Sequence, residues 1–130
     1  MADFTIPQAG EICWRELRTK HLPAAIEFYS KLFGWELPQT KISPMDYKEI
    51  VVNGTAHGGM MSMESDDWGE LPSHWANYVA VDNADETAAK ITANGGAIHM
   101  PPFDAPGIGR MAMVADPSGA AFAIIQFVAA

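Results

Sequence analysis

The same order of strand and helix patterns occurs twice along this chain, and this repeat limits the possible folds more than any other feature. Aligning Gly34 with Gly96 superposes one amphipathic helix pattern on the other, and each is preceded by one strand pattern and followed by three. Two copies of a β-α-β-β-β unit indicate a duplicated module rather than a solenoid, which needs more and shorter repeats. The sequence therefore predicts an α+β fold in which two such modules pair to form a cupped, eight-stranded mixed sheet.

The first module is expected over residues 10–63. Apolar residues at helical spacing predict a helix from Leu22, with Pro23 in its first turn and Gly34 just after its end. Asn53-Gly54 is the favoured sequence of a two-residue hairpin turn. Strands are expected over residues 12–19, 35–41, 47–52 and 56–63.

The second module is expected over residues 73–128, after an acidic linker over residues 64–72, and the whole chain 1–130 forms one domain. Asn83 is the expected N-cap of the helix, and Asn94-Gly95-Gly96 is expected to end it. Asp116-Pro117-Ser118-Gly119 predicts a type I turn. Strands are expected over residues 75–81, 97–100, 110–115 and 121–128, with a semi-rigid loop over 101–109.

Composition excludes several classes of protein. Apolar residues make up 48% of the 130 residues, which is enough for a buried core. The formal net charge of −8 argues against nucleic acid or an anionic membrane as a partner, because both require a basic surface. The sequence contains one cysteine and no apparent leader or membrane-spanning run. We therefore expect a cytoplasmic protein.

Several segments resemble the vicinal oxygen chelate superfamily, which includes glyoxalase I, extradiol dioxygenases, and fosfomycin- and bleomycin-resistance proteins. The resemblance lies in AIEFYSKLFGW (residues 25–35), VDNA (81–84) and DPSG (116–119). Residues 101–112 are similar to a glyoxalase-like branch that includes mycobacterial culture-filtrate antigen proteins. The resemblance implies the paired-module fold and a divalent metal held by one residue from each of four strands, usually His, Glu or Gln.

The positions that correspond to those metal ligands lack suitable side chains. They are Trp14, Ala76, Ala123 and one of residues 59–61 (Gly-Met-Met). Divalent metals in such sites require imidazole nitrogen or carboxylate oxygen, which none of these residues supplies. We therefore expect neither a metal at the inherited site nor another cofactor. A relocated site that uses His57, His99 and a carboxylate is the alternative.

The first strand suggests how a ligand would be held. Side chains alternate along a strand, so Trp14, Glu16 and Arg18 share one face. Trp14 would stack on a flat or apolar ligand and the charged pair would orient its polar ends; the alternative is an ion pair beside a core tryptophan. By resemblance, Arg18 coincides with an arginine of glyoxalase I that contacts the carboxylate of its glutathione substrate. The other candidate ligand contacts are His57, Tyr78, His99 and Arg110.

These features predict a glyoxalase-like protein that binds a small organic molecule in a metal-free cup, as a sequestration or resistance-type module. The alternative is an enzyme of the lyase or oxygenase type, either with a relocated metal or with Glu16, Tyr78 or a histidine as general acid or base. The sequence leaves open whether the chain is an enzyme. A homodimer is expected, because small members of the family often complete their cup with a second subunit and open sheet edges favour pairing.

Overall fold

The computed structural model describes residues 6–40, 47–64, 69–105 and 108–127, and within these ranges the chain forms two helices and eight strands. In chain order they are β1 (Ile12–Thr19), α1 (Leu22–Phe33), β2 (Gln39–Thr40), β3 (Tyr47–Val52), β4 (Thr55–Ser62), β5 (His74–Ala80), α2 (Ala84–Ala93), β6 (Ala97–Ala105), β7 (Gly109–Ala115) and β8 (Ala121–Phe127). The described residues divide into two compact units. Unit 1 runs from Trp14 to Trp75, and unit 2 comprises Ala76 onward with residues 6–13.

Unit 1 consists of α1 and strands in the order β2-β3-β4-β1, with β1 parallel to β4 and the other pairs antiparallel. Leu22 at the start of α1 packs against Leu17, Ile50 and Met60 of the sheet, and all four are buried. Gly34 ends the helix in the left-handed conformation (φ 70°) and donates its N–H to the carbonyl of Ser30 at 2.9 Å. The predicted bounds of this helix are confirmed.

The three strands that follow α1 depart from the predicted pattern at one place. Asn53 and Gly54 have φ values of 50° and 79°, which confirms the predicted hairpin turn between β3 and β4. The strand predicted over 35–41 is wrong, because the paired strand is limited to Gln39–Thr40 and Glu36 makes only an isolated bridge with Val51. Pro38 lies between the two pairings and has no N–H to donate, which interrupts the ladder. Residue 41 lies outside the described residues.

Unit 2 consists of α2 and strands in the order β5-β8-β7-β6, with β5 parallel to β8. Its core joins Ala84 of α2 to Ala112, Val114 and Ile124 of the sheet. The side chain of Asn83 accepts a hydrogen bond from the N–H of Glu86 at 2.9 Å, which confirms the predicted N-cap. Both units are therefore helix-on-sheet layers, and the sheet of each contains parallel and antiparallel pairs, as an α+β fold requires.

The loop predicted over 101–109 is wrong for its first part, because β6 continues to Ala105 and pairs with β7 as far as Gly109. Pro101 and Pro102 lie where the register shifts between Met100 and Phe103. β6 is the edge strand of its sheet, so prolines without an N–H remove no essential ladder bond. Residues 106–107, 128 and 65–68 lie outside the described residues, so the linker and domain boundaries stay predictions.

Candidate functional site

The side of the unit 1 sheet that faces away from α1 brings together polar and aromatic residues from three strands. Opposite residues in neighbouring strands point to the same side of a sheet. Glu16 lies opposite Gly59, which in turn lies opposite Glu49. Arg18 and Tyr47 both lie opposite Met61. We call this surface the unit 1 face; it comprises Trp14, Glu16, Arg18, Tyr47, Glu49, Gly59 and Met61.

A tryptophan and a tyrosine occupy the part of this face where the resemblance places metal ligands. The Trp14 indole N–H donates to the hydroxyl oxygen of Tyr47 at 2.8 Å. A Cβ at Gly59 would lie 2.1 Å from that oxygen and 2.2 Å from the ring carbon Cζ, so the Tyr47 ring covers Gly59 closely. The resemblance assigns the ligand positions of unit 1 to Trp14 and to one of residues 59–61 (Gly-Met-Met), and none of these residues supplies imidazole or carboxylate. The donor set at these positions therefore does not fit a divalent metal.

A buried ion pair lies on the same face. The guanidinium Nε of Arg18 donates to a carboxylate oxygen of Glu16 at 2.9 Å, and each residue is only 4% exposed. Desolvation of two charges is costly, so an ion pair at this depth adds little net stability compared with apolar residues of the same size. Removal of one partner is far more costly, because the other charge then stays buried without its counterion.

The corresponding side of the unit 2 sheet, which faces away from α2, has different chemistry. Tyr78 lies opposite Ala123, which in turn lies opposite Met113, and Met111 lies opposite Ile125. The two ligand positions of this unit, Ala76 and Ala123, are 1% and 0% exposed and carry no donor atom in their side chains. We call this surface the unit 2 face; it comprises Ala76, Tyr78, Met111, Met113, Ala123 and Ile125.

The two histidines predicted to contact a ligand are both exposed and lie in different units. His57 is in β4 and His99 is in β6. The carbonyl of His57 accepts a hydrogen bond from the side chain of Arg15 at 3.2 Å. Within the described ranges, no three His, Cys, Asp or Glu side chains come together closely enough to hold a metal ion. The alternative of a relocated metal thus finds no ligand set in that part of the chain.

Arg110, another predicted ligand contact, lies on the helix side of the unit 2 sheet. Alternate residues of β7 point to the same side, and Ala112 and Val114 belong to the core beneath α2. Its guanidinium binds Asp85 through two hydrogen bonds, of 2.8 and 3.1 Å, and Asp104 through one of 3.1 Å. These bonds raise the pKa of Arg110, and they hold the pKa of Asp85 below its ordinary value. Arg110 clamps the first turn of α2 to the β6–β7 hairpin, and its contact with a ligand stays a prediction.

The sequence pattern missed Tyr47, the partner of Trp14. A regular hairpin with the turn Asn53-Gly54 would place Tyr47 opposite Met60, on the side of the sheet that packs against α1. A register shift between Ile50 and Val51 moves Tyr47 opposite Met61 instead. One extra residue in a strand reverses the face of every residue beyond it. Nothing in the sequence marks this bulge.

The chain is similar to known proteins over most of its length. The model of the Glyoxalase/Bleomycin resistance protein/Dioxygenase superfamily matches residues 10–124. A protein named "Putative glyoxylase CFP32" from Mycobacterium tuberculosis is 34% identical over 122 residues, which are 93% of this chain and 46% of that protein. The anthracycline biosynthesis protein DnrV from Streptomyces peucetius is 30% identical in an alignment 139 residues long, which covers 88% of this chain and 46% of DnrV. The chain thus spans about half the length of these curated relatives.

Two solved structures illustrate the similarity of fold. The hypothetical protein BH1468 from Bacillus halodurans has a TM-score of 0.69 at 10% identity, covering 95% of this chain and 98% of that one. Methylmalonyl-CoA epimerase from Streptomyces coelicolor has a TM-score of 0.64 at 16% identity, covering 94% of this chain and 100% of that one. The solved structures share the fold of this chain, and the family model covers most of its length. The chain belongs to the Glyoxalase/Bleomycin resistance protein/Dioxygenase superfamily.

The helices in the described part of the chain are α1 and α2. Neither α1 nor α2 is long and apolar enough to cross a bilayer. The cytoplasmic location stays a prediction.

Proposed function

We propose that this chain binds a flat, cationic organic molecule on the unit 1 face, in a site that requires no metal. The observation that supports this most strongly is the Trp14–Tyr47 pair. Trp14 stands at one position that the resemblance assigns to a metal ligand, and the Tyr47 ring covers Gly59, one of the three residues (59–61) that could hold the other. Two aromatic rings thus lie where the resemblance expects ligand donors, and their chemistry suits stacking rather than metal binding.

The charges of the face support a cationic ligand. Glu16 and Glu49 contribute two carboxylates, whereas Arg18 contributes one guanidinium. Arg18 neutralises Glu16 directly at 2.9 Å, so Glu49 gives the face its net negative charge. A ligand cation above the rings of Trp14 and Tyr47 gains a further cation–π attraction. The buried ion pair would then fix the shape and polarity of the site rather than stabilise the fold.

The names of the relatives agree with a flat aromatic ligand. DnrV and a similar protein, DauV from a Streptomyces species, are named for anthracycline biosynthesis. Anthracyclines combine a planar polycyclic ring system with an amino sugar, which is the chemistry that the unit 1 face would accept. Sequestration of such a compound without turnover is the role we propose.

The enzymatic alternative is the second candidate. It would need Glu16, Tyr78 or a histidine within hydrogen-bond reach of a substrate. Glu16 is bound to Arg18, which limits its use as a proton acceptor. The sequestration role is therefore the one we test first.

Calorimetric titration with doxorubicin, a cationic anthracycline, tests the proposal. We expect saturable binding that is unchanged by a metal chelator, and a Kd about ten-fold higher for Trp14→Ala, since stacking on one aromatic ring contributes about 1–2 kcal/mol. Trp75→Ala, at an exposed tryptophan outside the unit 1 face, is the matched control and should bind like the wild type. The neutral aglycone should bind more weakly than doxorubicin itself.

Two outcomes would overturn the proposal. Binding that is equally strong in Trp14→Ala would place the ligand elsewhere, and binding that the chelator abolishes would require a metal. Binding of aglycone and doxorubicin with equal affinity would remove the cationic part of the proposal. Glu49→Gln should weaken doxorubicin binding and leave aglycone binding unchanged.

Other expectations from the sequence accompany this proposal. The cupped arrangement of paired modules, the absence of a nucleic-acid partner, the cytoplasmic location and the homodimer all remain predictions.

A further inference from the structure

Three methionines come together beside the edge strand of the unit 2 sheet. Met111 and Met113 alternate along β7 and belong to the unit 2 face. Met100 of β6 lies directly opposite Met113 and therefore points to the same side of the sheet. Directly opposite residues have Cβ atoms about 5 Å apart, and the three rotatable bonds of methionine let each sulfur turn toward its neighbours. We call Met100, Met111 and Met113 the thioether cluster.

Irregular pairing of β6 brings Met100 into this cluster. Ile98 lies opposite Val114, on the side of the sheet that packs against α2. In a regular ladder, His99 would therefore lie opposite Met113, and Met100 would face α2. A register shift after Ile98 puts Met100 opposite Met113 instead, and a second shift follows within the next three residues. Bulges that redirect a side chain in this way are over-represented beside functional sites.

Packing alone does not explain the thioether cluster. Met111 is 8% exposed and fills space on the sheet, as methionines often do. Met100 is 45% exposed, so an apolar side chain at this position buries little surface and gains little from burial. The alignment of the two modules places Glu49 and Val51 at the positions of the two β7 methionines, so the cluster is specific to unit 2. It extends from a buried sulfur to a half-exposed one, which gives an ion a route from solvent.

We propose that the thioether cluster binds a soft monovalent metal ion, Cu(I), through one sulfur of each methionine. Thioether sulfur is a soft ligand that selects Cu(I), whereas Mg²⁺, Ca²⁺ and Mn²⁺ prefer oxygen. The residues that define the unit 2 face are all uncharged, so they do not neutralise a bound ion. Burial of a divalent ion costs about four times as much as burial of a monovalent ion of the same size, because the Born energy rises with the square of the charge. Neutral sulfur ligands on an uncharged face therefore favour a monovalent ion.

Equilibrium dialysis against Ag(I), followed by elemental analysis, is the first test. Ag(I) binds the same soft ligands as Cu(I) and does not change its oxidation state during the experiment. A thiolate also binds Ag(I), so the wild-type chain is compared with Cys13→Ser, which lacks the thiol. We expect Cys13→Ser to bind one Ag(I) ion per chain, and Cu(I) added under anaerobic conditions should displace it.

Leucine variants test the sulfur ligands in turn. In the Cys13→Ser background, Met100→Leu and Met113→Leu should each raise the Kd for Ag(I) by about ten-fold or more, because a site with three ligands then has two. Leucine and methionine have similar volumes, so both variants should fold like the parent chain. Met60→Leu is the matched control and should bind Ag(I) like the parent, because Met60 lies in unit 1, outside the thioether cluster.

The methionine methyl groups report directly on the sulfur atoms. The chain contains eight methionines, and carbon-13 labelling of their ε-methyl groups gives one NMR signal for each. Ag(I) should shift the signals of Met100, Met111 and Met113, which the leucine variants assign, and leave the others in place. Because a thioether does not titrate, the Kd of Cys13→Ser for Ag(I) should be the same at about pH 5 and pH 7, a range in which imidazole gains a proton.

Three results would overturn the inference. A Cys13→Ser chain that binds no Ag(I) would exclude the site. Equal affinity in Met100→Leu, Met113→Leu and the parent, or shifts confined to other methyl groups, would place the ion elsewhere. A large loss of affinity on acidification to about pH 5 would require an imidazole ligand. None of these results bears on the unit 1 face, whose proposed ligand binds without a metal.

Discussion

The unit 1 face and the unit 2 face lie on sheets with the same order of strands and helix, yet equivalent positions carry polar side chains in one and uncharged, mostly small side chains in the other. Alignment of the two modules at Gly34 and Gly96 places Trp14 with Ala76, Glu16 with Tyr78, and Arg18 with Ala80. In unit 1 these positions hold an indole hydrogen bond and a buried ion pair. In unit 2 they are buried and carry no charge.

This difference separates what the fold requires from what the site requires. The unit 2 face shows that a sheet of this design accepts neutral residues at all three positions. The charges of unit 1 are therefore not demanded by the architecture, and a buried ion pair costs desolvation energy. Polar groups retained at such a cost, beside two aromatic rings, favour a binding role for the unit 1 face over a purely structural one.

The largest expected effect comes from breaking the ion pair of unit 1. Glu16→Leu removes the carboxylate that the buried Arg18 guanidinium binds at 2.9 Å, and the free energy of unfolding should fall by about 3–5 kcal/mol. The double variant Glu16→Leu/Arg18→Met makes unit 1 resemble unit 2 and should recover at least half of the loss. Urea unfolding measures both. A loss below 1 kcal/mol in the single variant would show that the buried pair is not strongly coupled.

A smaller effect is expected at Gly59, where unit 1 has no room for a side chain. The new methyl group of Gly59→Ala would meet the Tyr47 ring at 2.1–2.3 Å, so the ring must move and the bond from Trp14 is lost. We expect a loss of about 1–3 kcal/mol in the free energy of unfolding. In a Tyr47→Ala background the same substitution should cost much less. Equal costs in both backgrounds, from thermal unfolding, would mean that Tyr47 does not cover Gly59.

The smallest expected change in stability involves Arg110 and Asp85, the ion pair on the helix side of unit 2. Arg110 lowers the pKa of Asp85 in the folded state. Their interaction therefore stabilises the fold fully at pH values above the ordinary carboxyl pKa of about 4. This stabilisation is lost as the pH falls through the lower pKa of the folded state. Arg110→Met should therefore reduce the loss of stability on acidification below about pH 4. Chemical unfolding at several pH values measures this slope. An unchanged slope would exclude the clamp as a source of acid sensitivity.

Local signals predicted much of the fold. The ends of α1 and α2 follow from Pro23, Gly34 and Asn83, because caps act within one helical turn. The shared face of Trp14, Glu16 and Arg18 follows from strand alternation alone. The extension of β6 through Pro101 could not be predicted, since proline is compatible with a strand only at a sheet edge, and which strand forms the edge depends on the tertiary fold.

Only part of the candidate site could be predicted from the sequence. Strand alternation predicts which β1 residues belong to the site. It does not predict Tyr47, because the register shift between Ile50 and Val51 reverses the side of the sheet on which Tyr47 lies. The ion pair of Arg110 with Asp85 joins residues far apart in sequence, so no local pattern indicates it. The features that could not be predicted therefore depend on the pairing register between strands and on ion pairs between residues far apart in the chain.

We propose that the aromatic pair of unit 1 has replaced the metal chemistry of the family. Elemental analysis of the purified, tag-free protein tests it most directly, after growth with manganese, iron, nickel and zinc and without chelator. We expect a metal content far below one ion per chain before and after dialysis. A content close to one ion per chain that survives dialysis would contradict the account, and His57 and His99 would then be the first residues to mutate.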